Sequence, residues 1–411
     1  MNRRKFIETI PILSLLNPTD ISFLPTQMIG EKIQWNEIKD AFPSKGSLIH
    51  LNSGSAGTMT LSTEQFVIAS IKELNRHAPY KIWETWQETM QGIKKQLASI
   101  INVDFQQIAL NRNATDGLNA IIFGFKLKRR HSILAAKHDY PFTLQAIAQR
   151  KVKDSIRSKI LDIDLDTMMD EEICDRYDKA MTSDVKLVVL TLLTHREGRV
   201  LPVQEITRRA KMKGISVLVD GAQAFAHFDH DVAALGCDFY VTSLHKWLNA
   251  PLGTGMIYVS KNMMNNVSPP LARHPDSKSM QKFEYLGTSA FHQWVGIISA
   301  LDFLEIIGMS TKEKRLIQLT QYWTKRMEQE APQFLVPSRI NTGTYKGIAA
   351  FYSPEFNISA LRQKLYDNYS INTKIVKALG GNPALRISPN VFTLEEELDQ
   401  FIDATLKISK G

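Results

Sequence analysis

Val217-Leu-Val-Asp-Gly-Ala-Gln223 is an apolar run that ends on a carboxylate, and twenty-six positions after Asp220 the run Phe239-Tyr-Val-Thr-Ser-Leu-His-Lys246 ends on an amine. Each reads as a strand that delivers one chemically active group at its carboxyl end. Working outward, Val185 to Leu193 is almost wholly apolar, as expected of a strand buried on both faces. Val203 to Lys213 has helical spacing and is closed by Gly214. Gln107–Asn111, Ser132–Ala136 and Met256–Val259 are further short strands, and Asn113–Phe125 is a helix. From Thr60 to Ile101 the pattern is helical, with Trp83, Trp86, Met90, Ile93 and Leu97 three or four apart. Strands separated by helices predict an α/β fold: a mostly parallel sheet of the seven-stranded type, covered by helices on both faces. In such sheets ligands gather beyond the carboxyl ends of the strands.

The remainder divides around that sheet. Residues 1–28 form an N-terminal extension, 29–59 a segment expected to pack with a small domain and the active site, and 60–294 the large domain. A long helical stretch after Trp294 leads into a smaller α+β domain, together residues 295–411. Its short strands are Gly347–Tyr352 and Ala384–Ile387, and its helices Ile358–Asn368 and Leu394–Ile408. Met1-Asn-Arg-Arg-Lys-Phe-Ile7 resembles a twin-arginine export signal, but Glu8 and Pro11 interrupt the apolar stretch behind it. Periplasmic export and a basic extension of a cytoplasmic protein both stand open.

Composition narrows the function. The chain has 411 residues, of which 44% are hydrophobic and 22% charged, an ordinary globular balance. No run approaches the ~20 apolar residues that cross a bilayer, so no stable membrane insertion is expected. The net charge is +8, yet the basic residues are scattered; the densest group, Lys126, Lys128, Arg129, Arg130 and His131, reads as a solvated rim. Without aromatics interleaved among the cations, nucleic acid is not an expected partner. Two cysteines, Cys174 and Cys237, support neither a disulfide framework nor a zinc site, and no metal is expected.

A lysine just past a buried strand is an awkward place for an ammonium. Desolvation lowers its pKa and makes the amine a nucleophile toward an aldehyde. Alone, Lys246 could be an exposed loop lysine and Asp220 a helix cap. Together they suit opposite ends of a pyridine ring: the carboxylate keeps the ring nitrogen protonated, and the amine carries the aldehyde carbon.

Asp220-Gly-Ala-Gln223 followed by Ser243-Leu-His-Lys246 resembles the fold-type I pyridoxal 5'-phosphate (PLP) enzymes of aminotransferase class V. Within that class the chain is similar to the isopenicillin N epimerase-like branch, a relative of the cysteine desulfurases, from about Ile49 to Phe401. The resemblance implies Lys246 as the Schiff-base lysine, Asp220 as the pyridinium partner and Gln223 as hydrogen-bonded to the ring oxygen. It implies Ser243 and His245 at the phosphate, with Ala114 and Thr115 in the turn Asn113-Ala-Thr-Asp-Gly117. That turn opens a helix, whose free N–H groups and dipole favour an anion; a simple N-cap is the alternative. Tyr140 would stack on the cofactor, or else be a core tyrosine. Thr288, in Tyr285-Leu-Gly-Thr-Ser289, would reach the phosphate across a dimer interface, which implies a homodimer with shared active sites. Asn52 and Ser53, in Leu51-Asn-Ser-Gly-Ser-Ala-Gly57, would line the substrate side, and Arg386 would clamp an amino-acid carboxylate in bidentate fashion. An ordinary glycine-rich turn and a surface salt bridge are the respective alternatives.

Two departures stand out. The desulfurase cysteine before the arginine is missing from Ala378-Leu-Gly-Gly-Asn-Pro-Ala384, so persulfide chemistry is not expected. The segment Thr194-His-Arg-Glu-Gly198 is shorter than the family's loop, which puts contacts by His195 and Arg196 in doubt and implies a reshaped pocket. The expected activity is that of an aminotransferase or an epimerase (racemase), through an external aldimine with an amino acid. A C–S lyase without a catalytic cysteine and a non-catalytic PLP-binding protein are the alternatives. A nicotinamide-linked oxidoreductase lacks its glycine fingerprint.

Overall fold

The computed structural model describes residues 33–43, 46–76, 82–272, 274–284, 287–336, 343–377 and 382–410, with the backbone alone for 82–86. The N-terminal extension, with its twin-arginine-like motif, lies outside the described residues, as do the side chains of Trp83 and Trp86.

Strand β1 (Ile49–His50) precedes the main sheet, which comprises β2 (Ile108–Asn111), β3 (Ser132–Ala136), β4 (Arg157–Leu161), β5 (Val185–Thr191), β6 (Ser216–Asp220), β7 (Phe239–Ser243) and β8 (Gly255–Val259). The spatial order is β2-β8-β7-β6-β5-β3-β4. The strands β7, β6, β5, β3 and β4 run parallel, while β8 lies antiparallel to both β7 and β2. The fold is therefore the mostly parallel α/β sheet that the sequence predicts.

Strand alternation sends side chains to two separate cores. Val188, Leu190, Val217 and Val219 enter one, whereas Leu187, Val189 and Leu218 enter the other. A fully buried Val or Leu side chain contributes about 1.5–3 kcal/mol, so β5 and β6 hold the sheet together from both faces. The register pairs Thr191 with Asp220, which sets the ends of β5 and β6 level at one rim.

The helical stretch from Thr60 divides into Leu61–Arg76 and Ile82–Ile100; the sequence between them carries Pro79, which lacks the N–H a continuous helix would need. The predicted strand ending at Leu193 stops at Thr191, the last residue of β5 paired with β6; beyond it Leu193 leaves the ladder and bridges Val200. After Phe291–Ile307 the chain bends by 79° at Gly308, whose φ is +79, into Met309–Glu330. Among the described residues no single helix is long and apolar enough to cross a membrane.

A third core, around Trp323, Phe351, Leu385 and Phe401, joins Met309–Glu330 to a three-stranded antiparallel sheet. Its strands are β9 (Ala349–Phe351), β11 (Lys374–Lys377) and β12 (Pro383–Ile387), in the order β11-β12-β9. The remaining strand, β10 (Ile371–Asn372), pairs in parallel with β1. A bridge from Asn52 to Ser388 extends this N-terminal pairing. These pairings lead the loop 51–57 from β12 back over the rim of the main sheet.

Candidate active site

The carboxyl ends of β5, β6 and β7 open into a cavity of about 920 Å³, within the usual range for a small-molecule site. Asp220 closes β6 there. It is buried; its Oδ1 accepts the Ala222 N–H at 2.9 Å. Burial raises its pKa, opposed by the Ala222 N–H and by the charge of Lys246.

Lys246 also lines this cavity, three residues beyond the end of β7. Burial pushes its pKa down to about 8, with the Asp220 carboxylate opposing and Arg386 assisting. Its Nζ lies 5.9 Å from the centre of the Tyr140 ring. The turn carrying it is tied down on every side. Ser243 Oγ accepts the Ala114 N–H at 2.9 Å, His245 Nδ1 lies 3.1 Å from the Thr254 carbonyl, and Trp247 donates to Gln223 Oε1 at 2.8 Å. Buried Lys312 donates to the Trp247 carbonyl.

The loop 51–57 presses on this turn from above. The Gly57 N–H donates to the His245 carbonyl at 2.8 Å, and a Cβ on Gly57 would stand 2.1 Å from the Lys246 carbonyl oxygen. Gly57→Ala is therefore expected to cost about 1–3 kcal/mol through overpacking, measurable as a lower thermal midpoint. An unchanged midpoint would show that the loop does not need this close approach.

Arg386, on β12, is buried and has no carboxylate partner among the described residues, so it is not a surface salt bridge. Its NH1 donates to the His195 carbonyl at 2.9 Å, and its NH2 to Asn52 Oδ1 and Ser55 Oγ, each at 2.8 Å. Its Nε has no partner, and burial lowers its pKa to about 10.

The other expected residues divide. Ala114, Thr115, Tyr140, Gln223, Ser243 and His245 all line the cavity. Gln223 spends its Oε1 on Trp247 and one N–H on the Gly54 carbonyl at 2.8 Å, leaving one N–H. Asn52 and Ser53 do not line it: Asn52 supports Arg386, and Ser53 is fully buried, its N–H on the Ser388 carbonyl. Ser55 and the backbone of Gly54 take that wall instead. Within one chain Thr288 is exposed and away from the cavity.

The residues of residues 113–117 suit an anion. The Asn113 side chain accepts the Asp116 N–H at 2.8 Å, whereas Thr115 makes no hydrogen bond through its N–H or hydroxyl among the described residues. These free donors open an eleven-residue helix, Ala114–Gly124, whose positive dipole end faces the cavity. With a buried amine, a buried carboxylate and a cavity of ring size or larger between the loops, the residues present fit PLP.

The family's sequence profile, Aminotransferase class-V, matches residues 62–401. The chain belongs to aminotransferase class V. This class V chain is 25% identical to the isopenicillin N epimerase of Streptomyces clavuligerus over 399 residues, covering 90% of this chain and 97% of the relative. It is 22% identical to the hercynylcysteine sulfoxide lyase of Schizosaccharomyces pombe, covering 69% and 75% of the two chains. The fold matches the cysteine desulfurase of Thermococcus onnurineus with a TM-score of 0.81, at 20% identity and over 93% and 99% of the two chains. Class V enzymes work with PLP, and this chain is an enzyme of that type.

In the class V site Asp139 escaped the sequence reading, whereas His195 and Arg196 were named with their contacts in doubt. Asp139 is buried in the cavity floor, accepting the Ala136 N–H and the Thr191 hydroxyl, each at 2.7 Å. Burial, with Asp220 adding, pushes its pKa up to about 7. Its position three residues past the end of the apolar strand β3 was the available signal. His195 and Arg196 both line the cavity despite the short turn. Gly198, at φ +74, makes that turn possible: a Cβ there would stand 2.0 Å from the Ile348 carbonyl oxygen. His195 packs edge-on to Tyr140 at 5.5 Å and is held neutral by burial and by the cations Arg386, Arg196 and Lys246. Cys174 and Cys237 are buried away from the cavity, with burial pushing their thiols up to about 11 and about 12.

Proposed function

We propose that this class V enzyme acts on the α-carbon of an amino acid, as an epimerase (racemase) or an aminotransferase. The convergence of Lys246, Asp220 and Arg386 on one cavity supports this reading most. PLP, when bound, supplies an electron sink that makes bonds at the substrate α-carbon labile. Asp220 would hold the charge opposite the pyridine nitrogen. It is the better-placed anion of the two floor carboxylates, because Lys246 lowers its pKa and no cation does so for Asp139. Ala114, Thr115, Ser243 and His245 would hold the phosphate, Gln223 the ring oxygen, and Tyr140 would cover the ring.

Lys246 is the proton carrier in this reading. With a pKa near 8 its amine is neutral in a useful fraction of molecules near pH 7 to 8, so Nζ accepts a proton from the α-carbon and returns it. Arg386 fixes the substrate carboxylate, and Leu118, Leu193 and Val376 supply apolar lining to the cavity. The exposed Thr288 would complete the phosphate site of a second copy, making the protein a homodimer.

Elimination is the second reading, supported by the similarity to the hercynylcysteine sulfoxide lyase; neither Cys174 nor Cys237 lines the cavity. A C–S lyase needs no thiol there, whereas persulfide formation does.

The experiment is a panel of amino acids incubated in heavy water with and without 2-oxoglutarate, following α-proton exchange, keto acid and sulfide together. Exchange without keto acid indicates epimerisation, and keto acid that requires the acceptor indicates transamination. Sulfide without exchange of recovered substrate indicates elimination. If the cofactor-bound protein produces none of these signals with any amino acid, the proposal fails.

A further inference from the structure

The cavity carries more positive charge than PLP and one α-carboxylate require. The phosphate side is served by neutral donors: Thr115, Ser243, His245 and the helix N-terminus. The carboxylate is served by Arg386. Arg196 and Lys374 also line the cavity and are used by neither.

Arg196 is held in place by the short turn 194–198. It is 8% exposed; its NH1 donates to the Lys377 carbonyl at 2.9 Å and its Nε lies 3.2 Å from Glu197 Oε1. Its NH2 is buried with no hydrogen-bond partner. Asp166 is a more distant negative neighbour; burial raises the pKa of Glu197, and the charge of Arg196, its ion-pair partner, opposes that rise. The two guanidiniums are close in the chain's geometry, since Arg386 donates to the carbonyl of His195, the residue before Arg196. Lys374 stands directly across from Arg386 in the antiparallel pair β11–β12, so the two side chains leave the sheet on the same face. Lys374 is exposed and has no carboxylate partner among the described residues.

We propose that Arg196, with Lys374 at the cavity mouth, binds a second anionic group, so that the substrate is an amino acid whose side chain ends in a carboxylate. This rests on the proposed function for its amino-acid part, but the anion site itself needs no cofactor. The Arg196 guanidinium, whose buried NH2 has no hydrogen-bond partner, provides the second contact. Arg386, fixed by Asn52, Ser55 and the His195 carbonyl, provides the first one.

Calorimetric titration of the PLP-bound protein with glutarate and with butyrate tests this. A charge-assisted hydrogen bond is worth roughly tenfold or more in affinity, so glutarate should bind about tenfold tighter than butyrate. Arg196→Gln should bring the two ligands to within about twofold of each other, and Arg196→Lys should restore part of the preference. Lys374→Gln, at an exposed position, should reduce the preference by a few fold and provides the reading should Arg196→Gln not fold. Equal binding of the two acids by the wild-type protein, or an undiminished preference in both Gln variants, overturns the proposal. The titration is repeated without PLP. A protein that never develops a visible cofactor band would defeat the PLP reading, while the diacid preference would still be read on the cofactor-free chain.

Discussion

Lys246→Ala is expected to abolish the visible cofactor band and to lower turnover by at least about 10³-fold, since it removes both the attachment point and the proton carrier. The variant should fold, because the turn is held by contacts other than the lysine amine: Ser243 to Ala114, Trp247 to Gln223 and Lys312 to the Trp247 carbonyl. Absorbance before and after borohydride treatment, with a thermal melt as control, decides it. Wild type and variant with the same spectrum would defeat the assignment.

The same amine makes a prediction about pH. Its folded pKa is depressed, to about 8 from 10.5, chiefly by burial. Only the neutral amine attacks an aldehyde, so the rate at which cofactor-free protein captures PLP should rise with pH and level off above about 8. A rate still climbing tenfold per pH unit beyond 9 would mean that the amine keeps an ordinary lysine pKa.

Arg386→Gln is the second large effect. Removing one partner of a buried, hydrogen-bonded charge pair costs about 2–5 kcal/mol, which corresponds to at least roughly 30-fold weaker binding. The loss should fall on KM or on the Kd for a simple carboxylate, with the visible cofactor band retained, because Arg386 sits among Asn52, Ser55 and the His195 carbonyl. A change below about threefold would assign the carboxylate to another cation. Arg196 would then be the first candidate, and the butyrate and glutarate titrations separate the two roles.

Much of this site could be read from residue order. Asp220 and Lys246 are legible because each comes at or just past the end of an apolar strand, and the pair, unlike either group alone, suits opposite ends of one ring. The turn at 113–117 is legible for a similar reason: a polar cap with small residues opens a helix directly after β2. Other features were not legible. Gln223 looks like a free amide in sequence, but Trp247 and Gly54 occupy most of it. Ser53 looks equivalent to Ser55, yet the turn closed by the Ser55 N–H on the Asn52 carbonyl buries the first and sets the second against the cavity. The short turn at Thr194 reads as a deletion; in the fold it brings Arg196 to the cavity wall and anchors it on β11.

Hydrophobic spacing alone determined that the chain builds a mostly parallel α/β sheet, and that an aspartate and a lysine sit at its carboxyl rim. Such spacing reflects which face of each element is buried, a local property written residue by residue. Only the tertiary structure decided that Asn52 and Arg386, 334 positions apart, share a hydrogen bond, that β8 runs against its neighbours, and that Arg196 turns inward. Those facts depend on register and close backbone approach between distant segments, which are settled by packing across the whole molecule and leave no periodic trace in the order of residues.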